Sequence, residues 1–280
     1  MSQTDSPDLA KRVSILENEK KVLQNQLIQL ERERTEYLQN VAHQLVAPLN
    51  AIKWHIENLT EARVSIDRAK KVLRSIYSQA TIAVHLAKNF NLMSNLEADH
   101  ALSKLKEPLR DVALLPLLIN LADDFQPLAW DQDINIFVDR DHFDSTPTVL
   151  AMKPLISQAF SNIVENAVKY SDRKTDVVIK GSHDKTTDMF TVTIRNHGIP
   201  LPPEHKENVF ARGFRTAEAK RKYPAGTGFG LYIAKRIIEI HEGALAVDSV
   251  DGWTVFTVSL TVKGLQGKAR YVADKDSVAY

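Results

Sequence analysis

Residues 226–240 read GTGFGLYIAKRIIEI, in which glycines at alternate positions are followed at once by an apolar run with helical spacing. Glycines at this spacing let backbone amides approach an anion, and the N-terminus of the following helix adds its dipole. The sequence matches neither the P-loop pattern nor the dinucleotide-binding fingerprint, so a purely structural turn remains an alternative. The stretch predicts a phosphate-binding turn made by Gly226, Thr227, Gly228, Phe229, Gly230 and Leu231.

A second polar pattern lies upstream, in SNIVENAVKYS at residues 161–171. On a helix, Asn162, Asn166 and Lys169 share one face, because they are spaced i, i+4 and i+7. Amide oxygens suit a Mg²⁺ ion whose other ligands are phosphates and water, and a lysine suits phosphate oxygens. A polar stripe is ordinarily a solvated face, but the apolar residues between these positions mark the core side. The polar face is therefore available for a ligand.

The second half of the chain alternates helix-like and strand-like segments. Helices are predicted over residues 109–126, 153–171 and 229–241. Strands are predicted for five segments rich in β-branched residues or alternating in polarity, namely INIFVD, DVVIKG, MFTVTIRN, LAVDSV and TVFTVSLTV. This mixture predicts an α+β sandwich, with helices on one face of a mixed sheet.

The first half is predicted to be helical throughout. Residues 8–42 lack Gly and Pro, and they fit a heptad with Leu16, Leu23, Leu30 and Tyr37 at one seam position and Val13, Lys20, Leu27, Arg34 and Val41 at the other. This indicates a parallel coiled coil, and a single amphipathic helix packed on its own domain is the alternative. The helix continues past Pro48, where a kink is expected. A second helix over about residues 64–96, joined near 60–63, completes a hairpin, and two copies would form a four-helix bundle.

Composition limits the function classes. The 280 residues include 44% hydrophobic residues and carry a formal net charge of +1, which removes the argument for bulk attraction to nucleic acid or to an anionic membrane. The absence of cysteine excludes disulfides, thiolate zinc sites and cysteine nucleophiles. No apolar run approaches the roughly 20 residues that a membrane span needs. We therefore expect a soluble, cytoplasmic chain without a membrane segment.

Residues 37–262 resemble a sensor histidine kinase, in which a dimerisation and phosphoacceptor hairpin precedes an ATPase domain of the gyrase, Hsp90 and MutL superfamily. Five segments occur in the family's order. These are AHQLVAPL for the phosphoacceptor box, SNIVENAVKYS for the asparagine box, RNHGIPLPPE for the first glycine box, VFARGFR for the phenylalanine box and GTGFGLYIAKRI for the second glycine box. The resemblance implies a coiled-coil helix over 1–36, a phosphotransfer hairpin over 37–100, a catalytic domain over 107–263 and a tail over 264–280.

The resemblance also implies roles for single residues. His43 would accept the phosphoryl group from ATP, and Asn166, assisted by Asn162, would coordinate Mg²⁺. Glu165 would help to orient the reaction, and Lys169 and Tyr170 would contact the nucleotide. Arg212 and Arg215 are candidates for stabilising charge on the transferring phosphoryl group. Residues 216–225 would form a lid over the triphosphate, although a solvated loop is equally consistent with their basic cluster. The implied partners are a second copy of the chain and the receiver domain of a response regulator.

The sequence departs from the family's pattern at Gln44, Val46, Ala47, Asn196 and Pro200, and three of these positions affect the expected chemistry. Asn196 and Gly198 align with the first glycine box, where an aspartate usually accepts a bond from the adenine amino group; the Asn196 carbonyl can still accept it. Gln44 stands where a carboxylate is common, so autophosphorylation is expected to be slow. Ala47 replaces a polar residue one turn after His43, which predicts weak or absent phosphatase activity.

Two other functions are considered. The altered boxes leave open a kinase-like, nucleotide-binding scaffold that dimerises without phosphotransfer. A gyrase- or MutL-like ATPase acting on DNA would share the nucleotide fold, but the near-neutral charge and the hairpin give it no support. The kinase mechanism requires the ATPase domain to swing about a hinge between Leu96 and Pro108.

Overall fold

The computed structural model describes residues 6–61, 65–96, 108–143, 148–224 and 226–262. The chain divides into two compact units, Met1–His43 and Gln44–Tyr280. The hinge predicted between Leu96 and Pro108 and the tail predicted after residue 263 lie outside the described residues, as does Ala225 of the expected lid. The division into four functional segments stays a prediction.

The N-terminal unit consists of the first part of helix α1, which spans Ser6–Glu61. Most of its described seam side chains point into water, as illustrated by Leu16 and Leu23, which are 62% and 64% exposed, whereas Val41 is buried. Helix α1 runs on through Pro48, so the proline does not end it. Leucines repeated along an exposed helix are what a coiled-coil partner would bury, and the coiled coil therefore stays a prediction.

In the C-terminal unit, the end of α1 is followed by helix α2, Ile66–Leu96. The predicted second helix is confirmed, and it begins two residues later than expected. A hydrogen bond joins the two helices, because Ser75 Oγ lies 3.0 Å from His55 Nε2. Many apolar side chains of the hairpin remain exposed, which is consistent with the predicted four-helix bundle without testing it. They are Val46, Leu49, Trp54, Ile56, Leu73, Tyr77 and Val84.

The predicted mixed sheet is confirmed, in the order β2-β4-β5-β7-β6. Strands β2 and β4 pair in parallel, and all other neighbours in this sheet pair antiparallel. Along β5, buried residues alternate with partly exposed ones, as one covered face requires. The bounds are β2 Asn135–Asp139, β4 Asp176–Asp184, β5 Met189–His197, β6 Ala244–Val250 and β7 Trp253–Thr261.

Three helices cover the sheet, namely α3 Leu114–Trp130, α4 Lys153–Tyr170 and α6 Gly230–Ile240. The helix predicted from residue 109 was wrong at its start. Residues Arg110–Val112 instead form strand β1, which pairs with a second unpredicted strand, β3, Val149–Ala151. The helix begins just ahead of Pro116, because a proline in the first turn loses no hydrogen bond. A short helix α5, Ala217–Lys222, lies in the segment expected to be a lid.

Candidate nucleotide-binding site

A cleft of about 1080 Å³, including its open mouth, lies beside α4 and the glycine turn that precedes α6. Its lining contains most of the residues that the sequence singled out. These are Gln44, Asn162, Glu165, Asn166, Lys169, Tyr170, Asn196, Arg215, Gly226, Thr227, Gly228, Gly230 and Leu231. Of the residues predicted on the C-terminal unit, Gly198, Arg212 and Phe229 are not among those that line it. The asparagine-bearing helix and the glycine turn therefore meet at one cavity, as predicted.

The polar face of α4 carries a buried charged pair. Lys169 Nζ lies 2.6 Å from Glu165 Oε1, and both side chains are largely buried. Burial opposes the ionisation of Glu165, but Lys169 and His85 outweigh it and hold the pKa of that carboxyl well below its usual range. Burial likewise opposes the charge of Lys169, but Glu165 raises its pKa. Both groups are therefore charged at neutral pH, and the ammonium is fixed at the wall of the cleft.

The amide of Asn166 is the best placed to hold a metal ion. It lies on the partly exposed side of α4 and lines the cleft, and no hydrogen bond to its side chain occurs among the described residues. Asn162 is more deeply buried, at 2% exposure, and its oxygen accepts a hydrogen bond from Asn89 Nδ2 at 2.7 Å. The described part of the chain contains no cluster of three or more His, Cys, Asp or Glu residues that could bind a metal by itself. A Mg²⁺ ion here would need phosphate oxygens and water as its other ligands, which is the usual way that Mg²⁺ is bound.

One end of the cleft is formed by the end of β5. Asn196 is 2% exposed, lines the cleft and has no side-chain hydrogen bond among the described residues. Ile199, Leu201 and Phe256 provide apolar surface beside it. The side-chain carbonyl of Asn196 can accept a hydrogen bond from an adenine amino group in the cleft. The residues present therefore fit an adenine nucleotide.

Two glycines hold the turn in its shape. Gly213 and Gly228 have φ angles of 71° and 75°, a region that side-chain-bearing residues rarely adopt. The Gly213 amide donates to the Gly228 carbonyl at 3.1 Å, so the phenylalanine-box segment and the glycine turn are joined. A methyl group on Gly228 would come within 2.7 Å of the Gly213 backbone. The close approach of these two loops therefore requires glycine.

Arg215 fastens the lid segment. Its guanidinium donates to the carbonyls of Gly226 at 2.8 Å, Ala219 at 2.8 Å and Pro224 at 3.1 Å, and it also bonds the carbonyl of Tyr223. The segment expected to be a lid contains helix α5, and its basic residues Lys220, Arg221 and Lys222 are exposed, so the lid stays a prediction. Arg212 instead lies over the Phe229 ring, with its guanidinium carbon 5.7 Å from the ring centroid.

Sequence reasoning missed the residues that α2 contributes. Leu86 and Asn89 line the cleft, and His85 and Asn89 form hydrogen bonds with α4. The available signal was the presence of two polar residues, spaced i and i+4, within an otherwise apolar stripe of α2. Such a pair on the buried side of a helix has to find polar partners.

The predicted phosphoacceptor lies in the N-terminal unit. His43 is on α1, and its side chain is exposed. An exposed imidazole is accessible to a reacting group.

None of the helices in the described ranges combines the length and the apolar character that a membrane span needs.

Comparison with known proteins identifies the class of the C-terminal part. Residues 152–264 match the family model for the histidine kinase-, DNA gyrase B- and HSP90-like ATPase. Two structures share the fold at low identity. Full-length ShkA in complex with AMPPNP gives a TM-score of 0.52 at 21% identity, covering 80% of this chain and 45% of ShkA. The Acinetobacter baumannii histidine kinase AdeS gives 0.51 at 15% identity, covering 79% of this chain and 98% of AdeS. Residues 152–264 are thus similar to the ATPase domain of this superfamily.

Curated relatives extend the likeness to most of the chain. The sensor histidine kinase WalK of Bacillus subtilis is 26% identical over 244 residues, which is 84% of this chain and 38% of WalK. The histidine protein kinase SaeS of Staphylococcus epidermidis is 27% identical over 244 residues, which is 85% of this chain and 66% of SaeS. The chain therefore spans between 38% and 66% of the length of these relatives. Over most of its length the chain is similar to sensor histidine kinases, as the motifs indicated.

Proposed function

We propose that this chain is an ATP-dependent protein-histidine kinase that phosphorylates His43 and passes the phosphoryl group to an aspartate of a response regulator. The observation that carries the proposal is the meeting of the polar face of α4, the unpartnered Asn196 amide and the glycine turn at one cleft. Homology to WalK and SaeS supports the same activity.

In the proposed site, ATP lies with its adenine against Asn196 and its phosphates against Lys169 and the amides of the glycine turn. Asn166 would hold Mg²⁺, with Asn162 beside it, and the ion would neutralise phosphate charge when bound. Lys169 is suited to this role because the adjacent Glu165 keeps it charged. Its position is already fixed by the ion pair, so little ordering is needed when phosphate arrives.

In the proposal, the lid segment and the two arginines lie at the phosphate end of the nucleotide. Arg215 lines the cleft, but its guanidinium is engaged by backbone carbonyls of the lid. Contact between Arg215 and a phosphate would therefore accompany a rearrangement of residues 216–226. Arg212 is retained as the second candidate for stabilising the transferring group. Gly198 and Phe229 support the cleft from outside its lining.

The proposed chemistry uses His43 as a nucleophile. An unprotonated ring nitrogen attacks the γ-phosphorus, the bond from that phosphorus to the oxygen bridging to the β-phosphate breaks, and ADP leaves. Gln44 can orient the ring but cannot take its proton, so the proton goes to water and the reaction is slow. Ala47 offers no hydrogen bond to a water, so phosphatase activity towards the partner is expected to be weak.

The proposed assembly is a homodimer, with the response regulator as the other partner. The exposed apolar side chains along α1 and α2 are suited to a four-helix bundle of two copies. The alternative is a dimeric scaffold that binds nucleotide without phosphotransfer, and Gln44 is the residue that favours it.

Incubation with γ-labelled ATP and magnesium tests the proposal. We expect acid-labile label on the wild-type chain and none on His43→Ala, whereas His55→Ala, on the same helix, should keep the label. A chain that binds nucleotide but never becomes labelled would support the scaffold instead. A chain without affinity for adenine nucleotides would refute both.

A further inference from the structure

Helix α2 presents two polar residues, His85 and Asn89, to the polar face of α4. His85 Nδ1 lies 2.6 Å from Glu165 Oε2. Asn89 and Asn162 bond reciprocally, with the Asn89 amide donating to Asn162 Oδ1 at 2.7 Å and the Asn162 amide donating to Asn89 Oδ1 at 3.0 Å. Gln158 Nε2 also donates to Asn89 Oδ1, at 2.8 Å. A polar network therefore joins the hairpin to the ATPase domain.

Three members of this network are shielded from solvent. His85, Asn162 and Glu165 are 4%, 2% and 6% exposed, and the His85 ring packs edge-on against Phe125 with centroids 5.7 Å apart. His85 Nε2 is buried and has no hydrogen-bond partner among the described residues, so Glu165 is the polar group that His85 depends on. Polar groups buried in this way remain stable only while their partners stay in place.

The partners of α2 are residues that the proposed function assigns to the phosphate end of the nucleotide. Asn89 engages both the donor and the acceptor of the Asn162 amide. His85 bonds the carboxylate that holds Lys169. Leu86 and Asn89 also line the cleft itself. Helix α2 thus occupies one edge of the site in this arrangement.

We propose that His85 and Asn89 form an inhibitory latch, which holds α2 on the nucleotide-binding face of the ATPase domain and competes with Mg²⁺-nucleotide for it. The inference rests on the proposed function, since it assigns Asn162 and Lys169 to that ligand. When the latch opens, the polar groups of α4 lose their hydrogen-bond partners on α2. Bound magnesium and phosphate would supply new partners for the Asn162 oxygen and the Lys169 ammonium, so nucleotide binding would offset that loss. Two ligands that compete through a shared face weaken each other's binding by the same factor.

Binding of Mg²⁺-AMPPNP to Asn89→Ala tests the latch. The substitution removes the Asn89 amide and leaves every proposed nucleotide contact in place, so we expect affinity to rise by about tenfold, within the usual 5- to 150-fold range of coupling between sites. Lys88→Ala, an exposed neighbour on α2, is the matched control and should bind as the wild type does. Unchanged or weaker binding by Asn89→Ala would overturn the latch, because weaker binding would mean that Asn89 helps to position Asn162.

A distance measurement provides a readout that does not depend on nucleotide. The chain has no cysteine, so spin labels can be placed at Lys70→Cys on α2 and Lys185→Cys in the β4–β5 turn, both of which are exposed. An excess of unlabelled chain leaves one labelled protomer in each proposed dimer, so the labels report one pair of sites. We expect a narrow distance distribution without ligand, which broadens with Mg²⁺-AMPPNP or with Asn89→Ala, and does not broaden with Lys88→Ala. A distribution in Asn89→Ala as narrow as in the control rejects the latch. Failure of every variant to bind Mg²⁺-AMPPNP would refute the proposed function, and the ligand-free distances would still decide whether Asn89 holds α2 in place.

Discussion

The paired glycines of the cleft allow a steric prediction with an internal control. Gly213 and Gly228 have nearly the same φ angle, 71° and 75°, so replacing either by alanine imposes the same left-handed strain, about 1–2 kcal/mol. The space around them differs. A Cβ on Gly213 meets only the Phe229 ring, at 3.9 Å, whereas a Cβ on Gly228 lies 2.7 Å from the Gly213 carbonyl carbon and 2.8 Å from its oxygen. Since backbone cannot rotate away, Gly228→Ala should carry an additional overpacking cost of about 1–3 kcal/mol.

Urea unfolding of the two variants, monitored by circular dichroism, measures that difference. With a slope near the upper end of the usual range, about 3 kcal/mol per molar, the midpoint of Gly228→Ala should lie about 0.3–1 M below that of Gly213→Ala. Gly228→Ala should also lose nucleotide affinity, because the displaced turn carries the amides that would meet phosphate. Equal midpoints at equal slopes would refute the steric reasoning, since they would mean that the two loops separate freely.

Three further predictions concern buried polar groups. Burial lowers the pKa of His241, so the unfolded chain takes up a proton before the folded chain does as the pH falls below about 6.5. The free energy of unfolding should then drop by up to about 1.4 kcal/mol per pH unit. A His241→Gln variant whose free energy of unfolding has the same slope between pH 5 and 7 would contradict this. Glu165→Gln should lower the free energy of unfolding at pH 7 by about 3–5 kcal/mol, because Lys169 is left buried without its counter-ion. The wild-type carboxylate has a lowered pKa, so its contribution to stability is complete above its ordinary pKa of about 4.3 and is progressively lost as the pH falls below that value. A difference between wild type and variant in urea unfolding that persists undiminished at pH 3 would count against the pair. Asn196→Leu should weaken ATP binding by about tenfold, the value of one or two hydrogen bonds, without affecting inorganic triphosphate, and calorimetry showing equal losses for both ligands would argue against an adenine contact.

The sequence predicted the sheet and its helices well, because their residues repeat with a clear period. The alternation in β5 and the helical spacing in α4 each depend on one buried face, which the pattern of apolar residues reveals directly. The secondary-structure prediction was wrong in segments that are too short to show a repeating pattern of apolar residues. Strands β1 and β3 are three residues long, too short to alternate, and their pairing across the chain is decided by tertiary contact.

The lid shows a different limit of sequence reasoning. Its basic residues were compatible with a phosphate-binding lid or with a solvated loop, because charge alone does not reveal a partner. In the structure, Arg215 and Lys222 donate hydrogen bonds to backbone carbonyls. Lys222 Nζ donates to the Ser171 carbonyl, at the C-terminus of α4, at 2.7 Å. Carbonyls are present in every sequence, so no residue pattern could have indicated these bonds.

The same limit explains why the contribution of α2 was missed, and why it matters for switching. A helical period identifies the buried side of α2, but it cannot identify the residues of α4 that its polar members meet. Asn162 was assigned to the nucleotide site because its residue type suits Mg²⁺, and Glu165 because the family resemblance implies it. The same side chains suit Asn89 and His85 equally well. A polar face that two different partners can satisfy has two stable states, and a buried polar face with one partner has a single state. The ambiguity that defeated the sequence reasoning is therefore the physical property that would allow this domain to exchange α2 for its ligand.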